Sequence, residues 1–392
     1  MNYYLSKPAV VTAQGSSREA LAQNLLHGNA LPLAMVACGE KTVPVGEVSS
    51  PLPTIDNPAD DTRINRLILA ALPQIQEDWN MVKKLFAGTR IAVVLGTSNT
   101  GVREIEKQVK AKVENPDSPD SIRLEQMALC HPTDFIKKTL GIEGPAIAIS
   151  TACSSAGKAF ATAQELLDGD ICDAVLVGGA DSFSPFVQGG FDSLGIISEH
   201  QASPLSARRD GINIGEGAAL FIMTREVLPG NEPVRLLGVG ESSDAYHLTS
   251  PDPEGSGAAA SMRDALKNAN LQAGDIDYLN LHGTGTPAND AMESKAVADV
   301  FGAQMPLCSS SKPFFGHTLG ASGALEAALC WLTLSEKYNP QQHLPYHIEI
   351  DEPDPALPAI PRAAAGKSVP VKTILSNSFA FGGSNVSVIL GK

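Results

Sequence analysis

Ala146-Ile147-Ala148-Ile149-Ser150-Thr151-Ala152-Cys153-Ser154-Ser155-Ala156-Gly157 passes from four apolar residues, through small polar ones, into a stretch with helical spacing. The four apolar residues show no polar alternation, so the strand they predict is apolar on both faces and needs helices on either side. A buried strand that feeds a helix through a short turn is the repeating unit of an α/β sheet. The same style recurs at Ala9-Val10-Val11-Thr12, Ile91-Ala92-Val93-Val94-Leu95 and Ala174-Val175-Leu176-Val177, with helix-like spacing over 156–168 and 259–269. The fold class read from these runs is α/β.

The second half repeats the pattern. Val234-Arg235-Leu236-Leu237 and 276–281 read as strands, an Ala-rich helix follows near 321–337, and closing strands are expected at 372–378 and 385–390. This suggests an internal duplication around residue 235. Pro-rich and acidic stretches at 49–60, 115–121 and 339–361 read as surface loops, because Pro fixes φ and removes a backbone donor.

Composition limits the functions available. Of 392 residues, 43% are hydrophobic and 18% charged, enough to bury a large core. The net charge of −14 argues against nucleic acid or an anionic membrane as the main partner, since both select for a basic face. Nothing near the N-terminus reads as a signal peptide and no segment approaches membrane-spanning length, so a cytoplasmic location is expected. The six cysteines are scattered without a CxxC pair, which fits neither a zinc site nor a disulfide framework.

Cys153 stands apart from the other five. Its place between a buried strand and a helix puts it at a helix N-terminus, where free amides and the macrodipole are expected to favour a thiolate. The bland reading is a buried structural cysteine, so partners from elsewhere in the chain must decide. Two histidines have suitable frames. His282 opens Gly283-Thr284-Gly285-Thr286-Pro287, in which glycines allow a sharp turn and two threonines offer hydroxyls; a simple turn is the competing explanation. His317 follows Lys312-Pro313-Phe314-Phe315-Gly316 and precedes a helix carrying Glu326. Lys312 and Glu326 could pair and orient it. The closing Asn377-Ser378-Phe379-Ala380-Phe381-Gly382-Gly383-Ser384-Asn385 reads as a tight hairpin or as a turn whose amides face an oxyanion.

Taken in order, Thr151-Ala152-Cys153-Ser154-Ser155, Arg209-Asp210-Gly211 with Gly215-Glu216-Gly217, the run from His282, Lys312 with Gly316-His317, and the Asn-Ser-Phe turn resemble the β-ketoacyl-acyl carrier protein synthases. The closest pattern is the elongating Cys-His-His class of the thiolase-like superfamily. The resemblance implies a duplicated five-layer α-β-α-β-α sandwich, with halves 1–235 and 236–392, and a dimer. It implies that Cys153 accepts the acyl chain, that His282 and His317 act in decarboxylation and condensation, and that Lys312 and Glu326 support them. Backbone amides of Cys153 and Phe379 would form the oxyanion hole, and Thr284 and Thr286 would contact pantetheine. No intrinsic cofactor or metal is implied; substrates ride on the phosphopantetheine of an acyl carrier protein.

The implied partners are that carrier protein and either a second copy or a related chain-length subunit, with no nucleic acid and no membrane. The chain departs from the family where Phe314 and Phe315 replace smaller residues, at Ala380 and Ser384, and at Ser206, where an acidic residue is common. The two bulky phenylalanines are expected to reshape the channel, which points toward a specialised polyketide or polyene pathway as readily as toward primary fatty-acid synthesis. A non-catalytic chain-length subunit is the alternative function, which retention of Cys153 opposes. A thiolase or initiating synthase is disfavoured by the absence of a second catalytic cysteine motif and by His317 where the initiating class has Asn. Arg208 and Arg209 are candidates for docking the acidic carrier, against an ordinary salt-bridged loop.

Overall fold

The computed structural model describes residues 1–392 except 40, 118–121 and 349, so part of the loop expected at 115–121 lies outside the described residues. In chain order the strands are β1 (Tyr3–Leu5), β2 (Ala9–Thr12), β3 (Ala34–Cys38), β4 (Lys41–Val45), β5 (Ile91–Gly96), β6 (Ala146–Ile149), β7 (Ala174–Asp181), β8 (Gly217–Thr224), β9 (Arg235–Ser243), β10 (Tyr278–Asn280), β11 (Leu307–Ser309), β12 (Thr373–Phe379) and β13 (Ser384–Gly391). The helices are α1 (Arg18–Leu25), α2 (Arg63–Ala71), α3 (Gln76–Leu85), α4 (Val102–Glu114), α5 (His131–Leu140), α6 (Ser155–Asp168), α7 (Pro185–Ser193), α8 (Ser256–Ala269), α9 (Pro287–Phe301), α10 (Lys312–Phe315) and α11 (Ser322–Leu334).

Strand connectivity occurs twice. In the order β6-β5-β7-β8-β2 the first two pairings are parallel and the next two antiparallel, and β11-β10-β12-β13-β9 repeats that sequence of pairings. The second round opens with β9 at Arg235. The short strand β1 pairs with β8 on one side and β9 on the other, joining the two sets.

Three apolar layers of helix cover the strands. Ile64, Leu67 and Ile68 of α2, Trp79 of α3 and Phe135 of α5 pack with Val93, Leu176 and Leu220 of the first set. Met262 of α8 and Met292 and Ala296 of α9 pack with Leu279, Leu375 and Ile389 of the second. Between the sets, Phe160 and Ala163 of α6 join Ala324, Ala328 and Trp331 of α11 in one core with Val94, Phe221, Tyr278 and Val386. Every residue of α11 is buried, as a helix apolar on all sides requires. This is the α-β-α-β-α arrangement.

The central layer is close-fitting. A Cβ on Gly157 would overlap Val386 Cγ1, and one on Gly323 would lie 2.8 Å from the Gly157 nitrogen, so α6 and α11 approach where neither has a side chain. A Cβ on Gly96, at the end of β5, would overlap the backbone of Ala156. These contacts fix the start of α6, and with it Cys153. Among the described residues no helix is long and apolar enough to cross a membrane.

Candidate functional site

The turn between β6 and α6 aims Cys153. Ala152 has φ +52°, a left-handed conformation that costs a residue with a Cβ about 1–2 kcal/mol. Hydroxyls hold the bend: Ser155 Oγ donates to the Ala152 carbonyl, the Thr151 N–H donates to Ser155 Oγ at 2.9 Å, and Ser154 Oγ donates to Ser384 Oγ at 3.0 Å. Cys153 is 8% exposed and faces a cavity of about 380 Å³ lined also by His282, His317, Thr284, Thr286, Phe191, Ile212 and Phe379.

Three side chains distant in sequence meet there. Cys153 Sγ and one ring nitrogen each of His282 and His317 all lie within 4.8 Å of one another. His317 Nε2 is 3.0 Å from Sγ, and the two imidazoles stand edge to face with centroids 5.3 Å apart. The Leu319 N–H points at His317 Nδ1 from 3.3 Å. A backbone N–H can only donate, so Nδ1 is the acceptor and the neutral ring carries its proton on Nε2. His317 therefore presents an N–H, not a lone pair, to the sulfur and the cavity.

Electrostatics revise the helix-end expectation for Cys153. Burial pushes its thiol up to about 12; Lys312 and the Phe381 N–H pull it back only in part. Burial works against the thiolate that the helix end was expected to favour. Burial also holds His282 and His317 well below the ordinary histidine range, with the Lys312 cation pushing both the same way. Both rings are neutral at neutral pH.

Lys312 and Glu326 pair as expected, Nζ to Oε1 at 2.6 Å, with the two side chains 2% and 0% exposed. Thr284 and Thr286 both line the cavity, their hydroxyl oxygens 3.0 Å apart, and Thr286 also caps α9 by accepting from the Asn289 N–H.

Three expectations change. The amide that reaches the sulfur beside that of Cys153 belongs to Phe381, not Phe379. Phe379 is the last residue of β12, paired in register with Asn385, and its ring packs against His282 at 6.0 Å; the chain turns toward the sulfur only beyond it. Phe314 and Phe315 do not line the cavity: both are buried in the central core, with Phe314 against Tyr346. Arg209 is 8% exposed and bound to Asp354 at 2.6 Å and to the Ser206 carbonyl, which makes it a loop brace; only Arg208, 82% exposed, faces solvent.

Sequence reading gave no role to the carboxylates that hold the site loops, although Glu216 lies in a motif it singled out. Glu293 accepts from the His282 and Gly283 N–H groups at 2.8 and 2.7 Å, and its own carboxyl is pushed up to about 7 by burial. Asp290 accepts from the Gly285 N–H and, across the chain, from that of Leu205. Asp181 gathers the amides and hydroxyls of 97–99, and Glu216 binds Arg63 and the Val48 and Phe183 N–H groups. The available signal was acidic residues three apart on the helix following His282, within a run otherwise built for burial.

Comparison with known proteins agrees with this geometry. The family described as Beta-ketoacyl synthase, N-terminal domain, matches residues 59–227, and its C-terminal domain matches 234–344. The 3-oxoacyl-[acyl-carrier-protein] synthase 2 of Coxiella burnetii is 31% identical over 319 residues, covering 77% of this chain and 75% of that protein. A solved complex of the ketosynthase ApeO with its chain length factor ApeC, from Xenorhabdus doucetiae, superposes with TM-score 0.90 at 39% identity, covering 100% of this chain and 98% of that one. A β-ketoacyl synthase from Burkholderia phymatum gives TM-score 0.87 at 26% identity, covering 100% and 99%. With both domains matched in order and the cysteine and two histidines gathered in one cavity, this chain belongs to the β-ketoacyl synthase family.

Proposed function

We propose that this chain is a β-ketoacyl-acyl carrier protein synthase in which Cys153 takes an acyl group from a carrier-protein thioester and extends it with malonyl thioester. The observation that supports this best is the meeting of one thiol and two neutral imidazoles at the floor of a cavity whose wall carries Thr284 and Thr286.

The resting thiol does not need to be a thiolate. In acyl transfer its S–C bond forms as the pantetheine sulfur leaves, and the proton of Cys153 ends on that departing sulfur. The Cys153 and Phe381 N–H groups are placed to receive the developing oxyanion. A malonyl thioester then enters along Thr284 and Thr286. Loss of its carboxylate as carbon dioxide leaves an enolate whose negative oxygen accepts hydrogen bonds from His282 and from His317 Nε2–H. The enolate carbon attacks the Cys153 thioester, the C–S bond breaks, and the sulfur takes a proton from solvent. A buried site protects the carbanion from quenching. Lys312 serves by keeping both imidazoles neutral, and Glu326 balances its charge.

The division at residue 235 assigns the nucleophile to the first half and both imidazoles to the second. For partners, the reading takes an acyl carrier protein and either a second copy or a related chain; the complex of ApeO with a chain length factor favours the related chain. Fatty-acid and polyketide elongation share this chemistry. The burial of Phe314 and Phe315 removes the channel argument for a specialised pathway. The test is mass analysis of wild type and Cys153→Ala after incubation with acyl carrier thioesters, with circular dichroism as the folding check. An acyl adduct on Cys153, absent from the folded variant, is the expected result. A wild type that never acylates, whatever chain is offered, would leave the non-catalytic chain-length subunit as the better reading.

A further inference from the structure

His317 meets the cavity through Nε2 and the protein through Nδ1, and two groups converge on Nδ1. The Leu319 N–H lies 3.3 Å away, whereas Ser322 Oγ lies at 2.9 Å and is itself 3.2 Å from Thr318 Oγ1. Because the amide forces Nδ1 to be an acceptor, the Ser322 hydroxyl must also donate to it, and its oxygen is left free to accept from Thr318. The shorter contact is the hydroxyl. Ser322 is the first residue of α11 and wholly buried, so the ring is tied to a helix buried along its whole length.

We infer that Ser322 is a positioning residue for condensation. Its hydroxyl fixes the plane of His317 and, by donating into Nδ1, polarises the ring so that Nε2–H binds an enolate oxygen more strongly. Hydrogen bonds in a chain reinforce one another in a low-dielectric interior, and the chain Thr318–Ser322–His317 ends where charge appears. The inference rests on the proposed role of His317.

Ser322→Ala removes one oxygen from a helical position that alanine suits. The expected result is a fall of about tenfold in kcat for carbon dioxide release from malonyl carrier, with KM unchanged, the loss of one such hydrogen bond. The nitrogen-15 resonance of His317 Nδ1 should move toward that of an unbonded ring nitrogen. Thr318→Val, which leaves Ser322 in place, should cause a smaller fall in the same direction. An unchanged kcat in Ser322→Ala, or a lower kcat with an unmoved resonance, would overturn the inference. His317→Ala separates the two levels: if it still releases carbon dioxide at the wild-type rate, the reading of the histidines fails and the role of Ser322 falls with it.

Discussion

Replacing Lys312 by Met tests whether the buried cation serves stability, catalysis or both. Lys312 Nζ and Glu326 Oε1 are 2.6 Å apart with the side chains 2% and 0% exposed, and Glu326 Oε2 has no hydrogen-bond partner. Lys312→Met strands a carboxylate in the interior, which costs about 3–5 kcal/mol of folding free energy. Burial already raises the Glu326 carboxyl, and Lys312 restrains it, so without the cation its folded pKa rises further. A raised folded pKa gives stability that is present below the unfolded value and lost as pH rises through the folded one. The deficit of Lys312→Met should therefore shrink toward acid pH. Lys312→Met with Glu326→Leu removes both charges and should recover most of the loss, because an apolar replacement of a buried pair is close to neutral.

Urea denaturation of wild type, both single variants and the double variant gives the cycle. Activity supplies the second readout. Lys312 is one cause of the lowered histidine pKa values, after burial, so its removal lets both imidazoles protonate at higher pH. Protonation of His317 at Nδ1 removes the acceptor that the Leu319 N–H and Ser322 hydroxyl hold and so frees the ring, and the acid limb of carbon dioxide release should move to higher pH in the stable double variant. A double variant as unstable as Lys312→Met, or one whose acid limb overlies that of wild type, would refute the argument.

With the Cys153 thiol pushed up to about 12, alkylation of the free enzyme by iodoacetamide should accelerate about tenfold per pH unit from 7 to 10, as the thiolate fraction grows. A plateau beginning near pH 7 would restore the thiolate ground state. Phe381→Pro removes the N–H that faces the sulfur and should lower kcat about 10²–10³-fold, whereas Phe381→Leu, which keeps the N–H, should lose far less. Equal losses in the two variants would assign the effect to the ring.

Strands buried on both faces were legible because nothing polar interrupts them. Ala9–Thr12 is buried throughout, as expected, and the helix read at 156–168 begins one residue earlier; Ala146–Ile149 has the expected bounds but is only half-buried, because it is the outermost strand of its sheet. β8 escaped notice because its first residue, Gly217, belongs to a glycine-rich motif that reads as a turn until Gly178 and Gly179 are seen opposite Leu220 and Ala219. The cysteine, both histidines and the Lys312–Glu326 pair were legible through their surroundings. The state of the sulfur was not, because helix position is local while desolvation is set by everything packed around it. Nor was the second amide beside the sulfur, since a shift of two residues depends on where the ladder with β13 ends.

Among the described residues β1 is the one strand bonded to both sets, with Tyr4 opposite Thr224 on one edge and Arg235 on the other. During synthesis its first edge can close once Thr224 has left the ribosome, but its second waits for Leu236 and the strand that follows. The earliest strand to be made is thus the last of its own half to be fully seated, and a nascent first half carries an open edge until the second begins to fold.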